Sequence, residues 1–274
     1  MAIFNDARWE LRHKLSQRMN NDAILGVVAS PGSGSFVCAT THWEKADDYF
    51  NEWVEVYCYS GTGVGTSAKP TDWDNATHTL TSLPAATLTD GDLVEIHQTY
   101  TVEELNSAIN EAIDRVALAA LQDRVDESLT MTAGTYLYAL PTHLVSVIDL
   151  YMSDTNGAWL DEDPIDPRYY RWVKRTSGIM IEFIGDLYAP VTGTTLRIVG
   201  QASPSKLDTD TEETPIDPEY IIQRAKSILH QSRVRGNNEE SKWHANQEGI
   251  AAAKARALAL NLDTGIKGRA VVDM

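Results

Sequence analysis

Tyr136-Leu-Tyr-Ala-Leu-Pro141, Leu144-Val-Ser-Val-Ile-Asp-Leu150, Ile179-Met-Ile-Glu-Phe-Ile184 and Leu196-Arg-Ile-Val199, followed by Pro215-Ile-Asp-Pro-Glu-Tyr-Ile-Ile-Gln-Arg-Ala-Lys-Ser-Ile-Leu229, decide how this 274-residue chain reads. The first four are short apolar runs rich in β-branched and aromatic residues, the texture of strands. In the third, Ile179, Ile181 and Phe183 alternate with Met180, Glu182 and Ile184, so the expected sheet is covered fairly well on both faces. The fifth run changes period. Asp217 stands as an N-cap and Pro218 takes the first helical position, where its missing N–H leaves nothing unsatisfied, and a helix is expected to about Arg235. No catalytic constellation falls anywhere along this order of strands, acidic loop and helix.

Upstream, Thr101-Val-Glu-Glu104 is a capping box, with the Thr hydroxyl placed for the first free amides and Glu104 placed to reach back to the Thr101 amide. Behind it Leu105, Ala108, Ile109, Ala112, Ile113, Val116 and Ala120 form an apolar helical stripe. Asp6 to Met19, with Trp9, Leu11, Leu15 and Met19 among charged residues, predicts a short amphipathic helix ending at Asn20-Asn21-Asp22. Between these helices short apolar runs (Ala23 to Ala29, Trp53 to Tyr57, Thr77 to Thr81, Asp90 to His97) are split by Gly/Pro clusters, which indicates an inserted β-barrel or β-sandwich. After the break at Gly236-Asn237-Asn238, an alanine-rich helix is expected to about Leu262. The expected fold is therefore α+β: an N-terminal helix (1–21), a β-rich domain (22–99), a helical and mixed-sheet body (100–262) and a tail (263–274).

Composition narrows the function. At 43% apolar residues the chain can bury a substantial core, and its net charge of −16 argues against a free-standing binder of DNA or anionic membrane. No window approaches the roughly 20 apolar residues of a membrane helix. The N-terminus carries charges where a signal peptide needs an apolar run, so a protein made and kept soluble in a cytoplasm is expected. Cys38 and Cys58 lie in strand-like contexts and are expected to be reduced, buried thiols.

Several segments resemble chemical motifs and fall short of them. Gly61-Thr-Gly-Val-Gly65 lacks the Gly-Lys-Ser/Thr ending and following helix of a phosphate loop, and reads as a hairpin loop. In Asp208-Thr-Asp-Thr-Glu-Glu213, Asp208, Asp210 and Glu212 fall at positions 1, 3 and 5 of a calcium loop and Glu219 at position 12, but Glu213 stands where glycine is required. A solvated loop is expected there. The seven histidines show no metal-ligand spacing, and no hydrolase signature occurs, so neither metal, cofactor nor enzymatic activity is expected. Trp43, Tyr49, Trp53 and Trp73 could form a sugar-stacking face on the β-domain, although large aromatics more commonly serve cores and subunit contacts.

The helix Leu105 to Ile113, the Leu140-Pro141 turn into Leu144 to Ile148, the Gly157-Ala-Trp-Leu160 hairpin before Asp163-Pro164 and the helix Pro218 to Gln231 together resemble the head-to-tail adaptor (connector) proteins of tailed bacteriophages. The resemblance covers about residues 100–235, and the β-rich N-terminal region departs from the smaller, mostly helical adaptors. It implies a virion structural protein, made in the host cytoplasm, that forms a homo-oligomeric ring (commonly a dodecamer) beneath the portal. Portal and tail or stopper proteins would be its neighbours, with DNA passing unbound and no membrane or cofactor involved. On that reading Tyr220, Ile221, Trp243, Ala252 and Ala255, with Ile266, Val271 and Val272 of the tail, are the expected partner contacts. Asp208, Asp210, Glu212 and Glu213 are the expected channel lining. The alternative is a glycan- or receptor-binding virion protein using the β-domain.

Overall fold

The computed structural model describes residues 5–19, 23–32, 34–38, 45–83, 87–116, 120–154, 164–176, 178–236, 238–259 and 270–271. The fold is mixed α+β, and the chain divides into two compact units that do not follow sequence order: Met1–Arg115 with Ser205–Leu262, and Val116–Pro204 with Asp263–Met274.

The first unit opens with strand β1 (Asp6–Ala7), which pairs with the later strand β14 (Glu213–Thr214), and helix α1 (Arg8–Arg18). Six strands follow: β2 (Ile24–Ala29), β3 (Ser35–Cys38), β4 (Glu55–Ser60), β5 (Ser67–Asp74), β6 (Thr79–Leu83) and β7 (Leu93–His97). They close into an antiparallel barrel in the order β2-β3-β6-β5-β4-β7, which leaves no free edge. Its interior is filled by Val28, Phe36, Val56, Leu80 and Ile96 with Phe50, Trp53 and Trp73. The Phe50 ring meets Trp53 and Trp73 edge-on at 4.9 and 5.1 Å, the favoured geometry for aromatic pairs. Helix α2 (Val102–Val116) starts at the capping box: the Thr101 amide donates to Glu104 Oε2 at 3.0 Å and the Glu104 amide to Thr101 Oγ1 at 3.2 Å. Helices α3 (Pro218–Arg233) and α4 (Glu239–Ala259) form a hairpin. Asp217 caps α3 by accepting from the Glu219 amide at 2.9 Å.

In the second unit β8 (Gln122–Thr130), β10 (Leu144–Met152), β13 (Thr195–Ala202) and β15 (Ala270–Val271) make an antiparallel sheet in the order β15-β10-β13-β8. A second sheet has the order β11-β12-β9, from β9 (Leu137–Ala139), β11 (Tyr170–Arg175) and β12 (Gly178–Phe183). One core joins residues of both sheets, among them Leu144, Val147, Leu150, Ile181, Phe183, Leu196 and Ile198. At the β10–β13 crossing Gly200 is required, because a Cβ there would stand 2.3 Å from the Ser146 carbonyl oxygen.

The glycine loop Gly61 to Gly65 is occupied from within. The Asp92 carboxylate accepts from the amides of Thr62 (2.7 Å), Gly63 (3.0 Å) and Thr89 (2.8 Å), and a Cβ on Gly61 would fall 2.1 Å from Asp92 Oδ1. Burial raises the Asp92 pKa, but hydrogen bonds from Thr89, Thr62 and Gly63 outweigh it, so the carboxyl sits below its usual range. Both cysteines are free and buried; burial pushes the Cys58 thiol up to about 11 and raises Cys38 further.

Candidate functional site

The acidic loop before α3 is tied to the rest of its unit by charge. Arg8 and Arg12, one turn apart on α1, both reach Asp210: Arg8 Nε donates to Oδ1 at 2.9 Å, and Arg12 donates to Oδ1 at 2.8 Å and Oδ2 at 3.1 Å. Arg12 Nε also donates to Glu95 Oε1 of β7 at 2.6 Å, and its Nη1 to Asn106 Oδ1 of α2 at 3.0 Å. The Tyr57 ring of β4 lies under the Arg12 guanidinium at 5.0 Å, and His97 Nε2 lies 3.2 Å from Glu95 Oε2. Arg12, Glu95 and Asp210 are all buried, which water-free charges tolerate only when paired and hydrogen-bonded. Burial alone would raise the Asp210 pKa, yet the bonds and charges of Arg12 and Arg8 hold it below the usual carboxylate range. For Arg12, burial is outweighed by the charge of Glu95 and by bonds to Asp210 and Glu95, so its pKa is raised.

This arrangement divides the expected channel-lining set. Asp208, Glu212 and Glu213 are exposed, with the Glu212 carboxylate turned back to the Thr209 amide at 3.1 Å. The charge of Asp210, by contrast, is neutralised inside the subunit.

The α3–α4 hairpin likewise divides the expected partner contacts. Tyr220 and Ile221 are 4% and 0% exposed, so their apolar surface serves the subunit interior. Ala252 and Ala255 are buried on the α4 face that also presents His244 and Glu248 to α3. A bulky charged residue at either alanine would therefore open the hairpin rather than leave the subunit folded. Trp243 is 50% exposed, and Ile250, two turns on, is 45% exposed. Where the hairpin closes, His230 Nδ1 and His244 Nδ1 approach to 2.9 Å, and Trp243 stands edge-on to both rings at 5.4 and 4.8 Å. The Val271 backbone pairs with Ser146 of β10, whereas Ile266 and Val272 lie outside the described residues.

The aromatics weighed for a sugar platform are placed differently from a binding face. Trp53 and Trp73 fill the barrel core and Tyr49 is half-buried against it; Trp43 lies outside the described residues, as does the Gly157 to Leu160 hairpin. Among the described residues no three His, Cys, Asp or Glu side chains gather as a metal ion would require, and no helix is long and apolar enough to cross a membrane. The Arg12 network is not legible in sequence because an arginine among the charged residues of an amphipathic helix carries no mark of burial. The one local signal is its spacing of three and four residues from Leu15 and Ser16, which puts it on the same buried face.

Residues 78–270, well over half of the chain, match the model of the family described as SU10 adaptor protein. The match begins at β6, so it takes in the last two barrel strands and leaves α1 and β2–β5 outside. No curated protein matches the chain.

Proposed function

This chain belongs to the SU10 adaptor protein family of phage structural proteins, and on that premise we propose that it forms a ring at the head-to-tail junction of a tailed phage, joining portal to tail. The match over residues 78–270 carries the reading. Membership implies a structural rather than a catalytic role. In the assembled particle Trp243 and Ile250 supply the apolar anchors to the portal, since an exposed Trp on a rigid helix gives a large contact at low entropic cost. Asp208, Glu212 and Glu213 line the channel, where like charge keeps DNA from adhering within a screening length of about 8 Å at physiological salt. Ala270 and Val271 pair with β10 of their own subunit, so the tail's contribution to a neighbour is apolar contact, through Ile266 and Val272. Tail or stopper proteins occupy the opposite face, and DNA passes without specific binding.

The test is negative-stain imaging and native mass measurement of the protein alone and mixed with the portal of the same phage. A closed ring, commonly dodecameric in similar proteins, that caps the portal is the expected result. A monomer that leaves the portal unaltered at every concentration would overturn the reading. Among the described residues the glycan reading loses Trp53 and Trp73, which are buried in the barrel core; specific signal on a glycan array would restore it.

A further inference from the structure

Barrel and helical hairpin carry opposite charge on one subunit. From Ile24 to His97 there are ten carboxylates against two lysines, a net −8 and half of the chain's −16. Glu95 is neutralised by Arg12 and Asp92 is enclosed by amides, but Asp47, Asp48, Glu52, Asp72 and Asp90 are exposed. The hairpin, Pro218 to Ala259, has seven Lys/Arg against four Glu.

Positive charge gathers along α3, which packs against both α1 and α4. Lys226 of α3 donates to the Arg18 carbonyl at the end of α1 at 3.0 Å, which sets its ammonium near the Arg18 guanidinium, and Lys254 of α4 is close enough to act on it as well. Burial first, then the charges of Lys254 and Arg18, lower the Lys226 pKa. Only Arg18 of the three has a carboxylate, Glu219 at 3.3 Å; among the described residues neither Lys226 nor Lys254 has an ion-pair partner. Three cations held together with Glu219 as the one carboxylate paired among them, counting the described residues, are unfavourable in the free subunit and become favourable against an anionic surface.

We propose that the seam of Arg18, Lys226 and Lys254 receives the acidic barrel of a second copy of this chain. The proposal rests on the ring reading and names its contact. Seam and barrel are different surfaces of one subunit, so pairing them between copies is head-to-tail and leaves no contact unmet only when the assembly closes. The chain's own barrel supplies the complementary charge, which favours a second copy over nucleic acid as the occupant.

The experiment reads assembly mass from about 50 to 500 mM salt, a range over which screening shortens severalfold. Variant Lys226→Glu/Lys254→Glu reverses the seam. Variant Glu52→Lys/Asp72→Lys reverses the barrel at two exposed carboxylates. Wild-type rings should weaken with salt, and each variant alone should associate at least about tenfold more weakly. An equimolar mixture should recover rings, because acidic seam then meets basic barrel and the reverse, alternately around the ring. Lys254→Glu alone, at an exposed position, replaces the double variant should that one fail to fold. Salt-insensitive rings, or either variant assembling like wild type, would overturn the contact while leaving the ring reading intact. Normal rings that lose retention of duplex DNA would overturn it in favour of a nucleic-acid seam. A wild-type chain that never assembles, with or without portal, would sink both.

Discussion

Arg12 is the residue on which the first unit turns, because it joins α1, β7, α2 and the acidic loop through one guanidinium. Arg12→Ala would leave Glu95 and Asp210 buried without their counter-charge, and a loss of about 3–5 kcal/mol is expected in urea denaturation. Asp210 also sets an acid limit. Its folded pKa lies below the unfolded value of about 3.9, so its contribution is present above that pH and is lost as pH falls through the folded value. His230 acts at milder acidity. Burial, then Lys226 and His244, lower it to about 4 from 6.5, so the unfolded chain binds the extra proton across that window. The stability contributed by neutral His230 is therefore full above about pH 6.5 and declines towards pH 4. Facing it are His244 and Trp243 on α4, with Glu240 3.9 Å from His244 Nε2. Denaturation midpoints measured from pH 7 to 4.5 should fall, and His230→Asn should flatten the decline; slope that remains belongs to His13, also lowered chiefly by burial. An unchanged slope would show that the imidazole pair does not bear on folding.

At the scale of elements, the helix starts are local devices and their worth is correspondingly modest. Thr101→Ala removes the acceptor of the Glu104 amide and should destabilise by about 1 kcal/mol, with α2 otherwise intact by circular dichroism. The hairpin depends on packing instead. Ala255→Glu would place an unpaired carboxylate against α3 and should cost several times the loss of a cap, visible as a fall in melting temperature. Trp243→Ala removes the edge-on contacts to His230 and His244 as well as the exposed part of the ring, so a loss of about 1 kcal/mol is expected beside a larger loss of portal capture, whereas Ile250→Ala, with no such ring contacts, separates docking from folding. Both helix starts were legible because a cap needs only residues three positions apart. Strands β8 and β11 were not individually legible: β8 is an edge strand of mostly exposed polar residues, and β11 interleaves Arg171, Lys174 and Arg175 with aromatics, so neither shows an apolar run.

For the whole molecule, the tail is the sharpest test. Among the described residues Ala270 and Val271 pair with Val147 and Ser146, a shorter ladder than β10 makes with β13. Deleting residues 264–274 should lower melting by no more than the 2–4 °C that about 1 kcal/mol produces in a domain of this size, while ring or portal association is lost. A much larger drop would assign the tail to the subunit's own core. The α+β class, the barrel's turn chemistry, both capped helices and the acidic excess were determined by the sequence alone, since each rests on residue type and spacing along a short stretch. The aromatic residues of the barrel could be read as surface or core until the closed strand order put Trp53 and Trp73 inside. The same holds for the acidic loop, whose residues look alike in sequence although only Asp210 is neutralised. Arg12 meets Glu95 across 83 positions and Asp210 across 198, and no local pattern encodes such a meeting. Only packing in three dimensions decides which carboxylate is buried beside a guanidinium and which is left to face solvent, because burial is a property of the assembled neighbours and not of the residue.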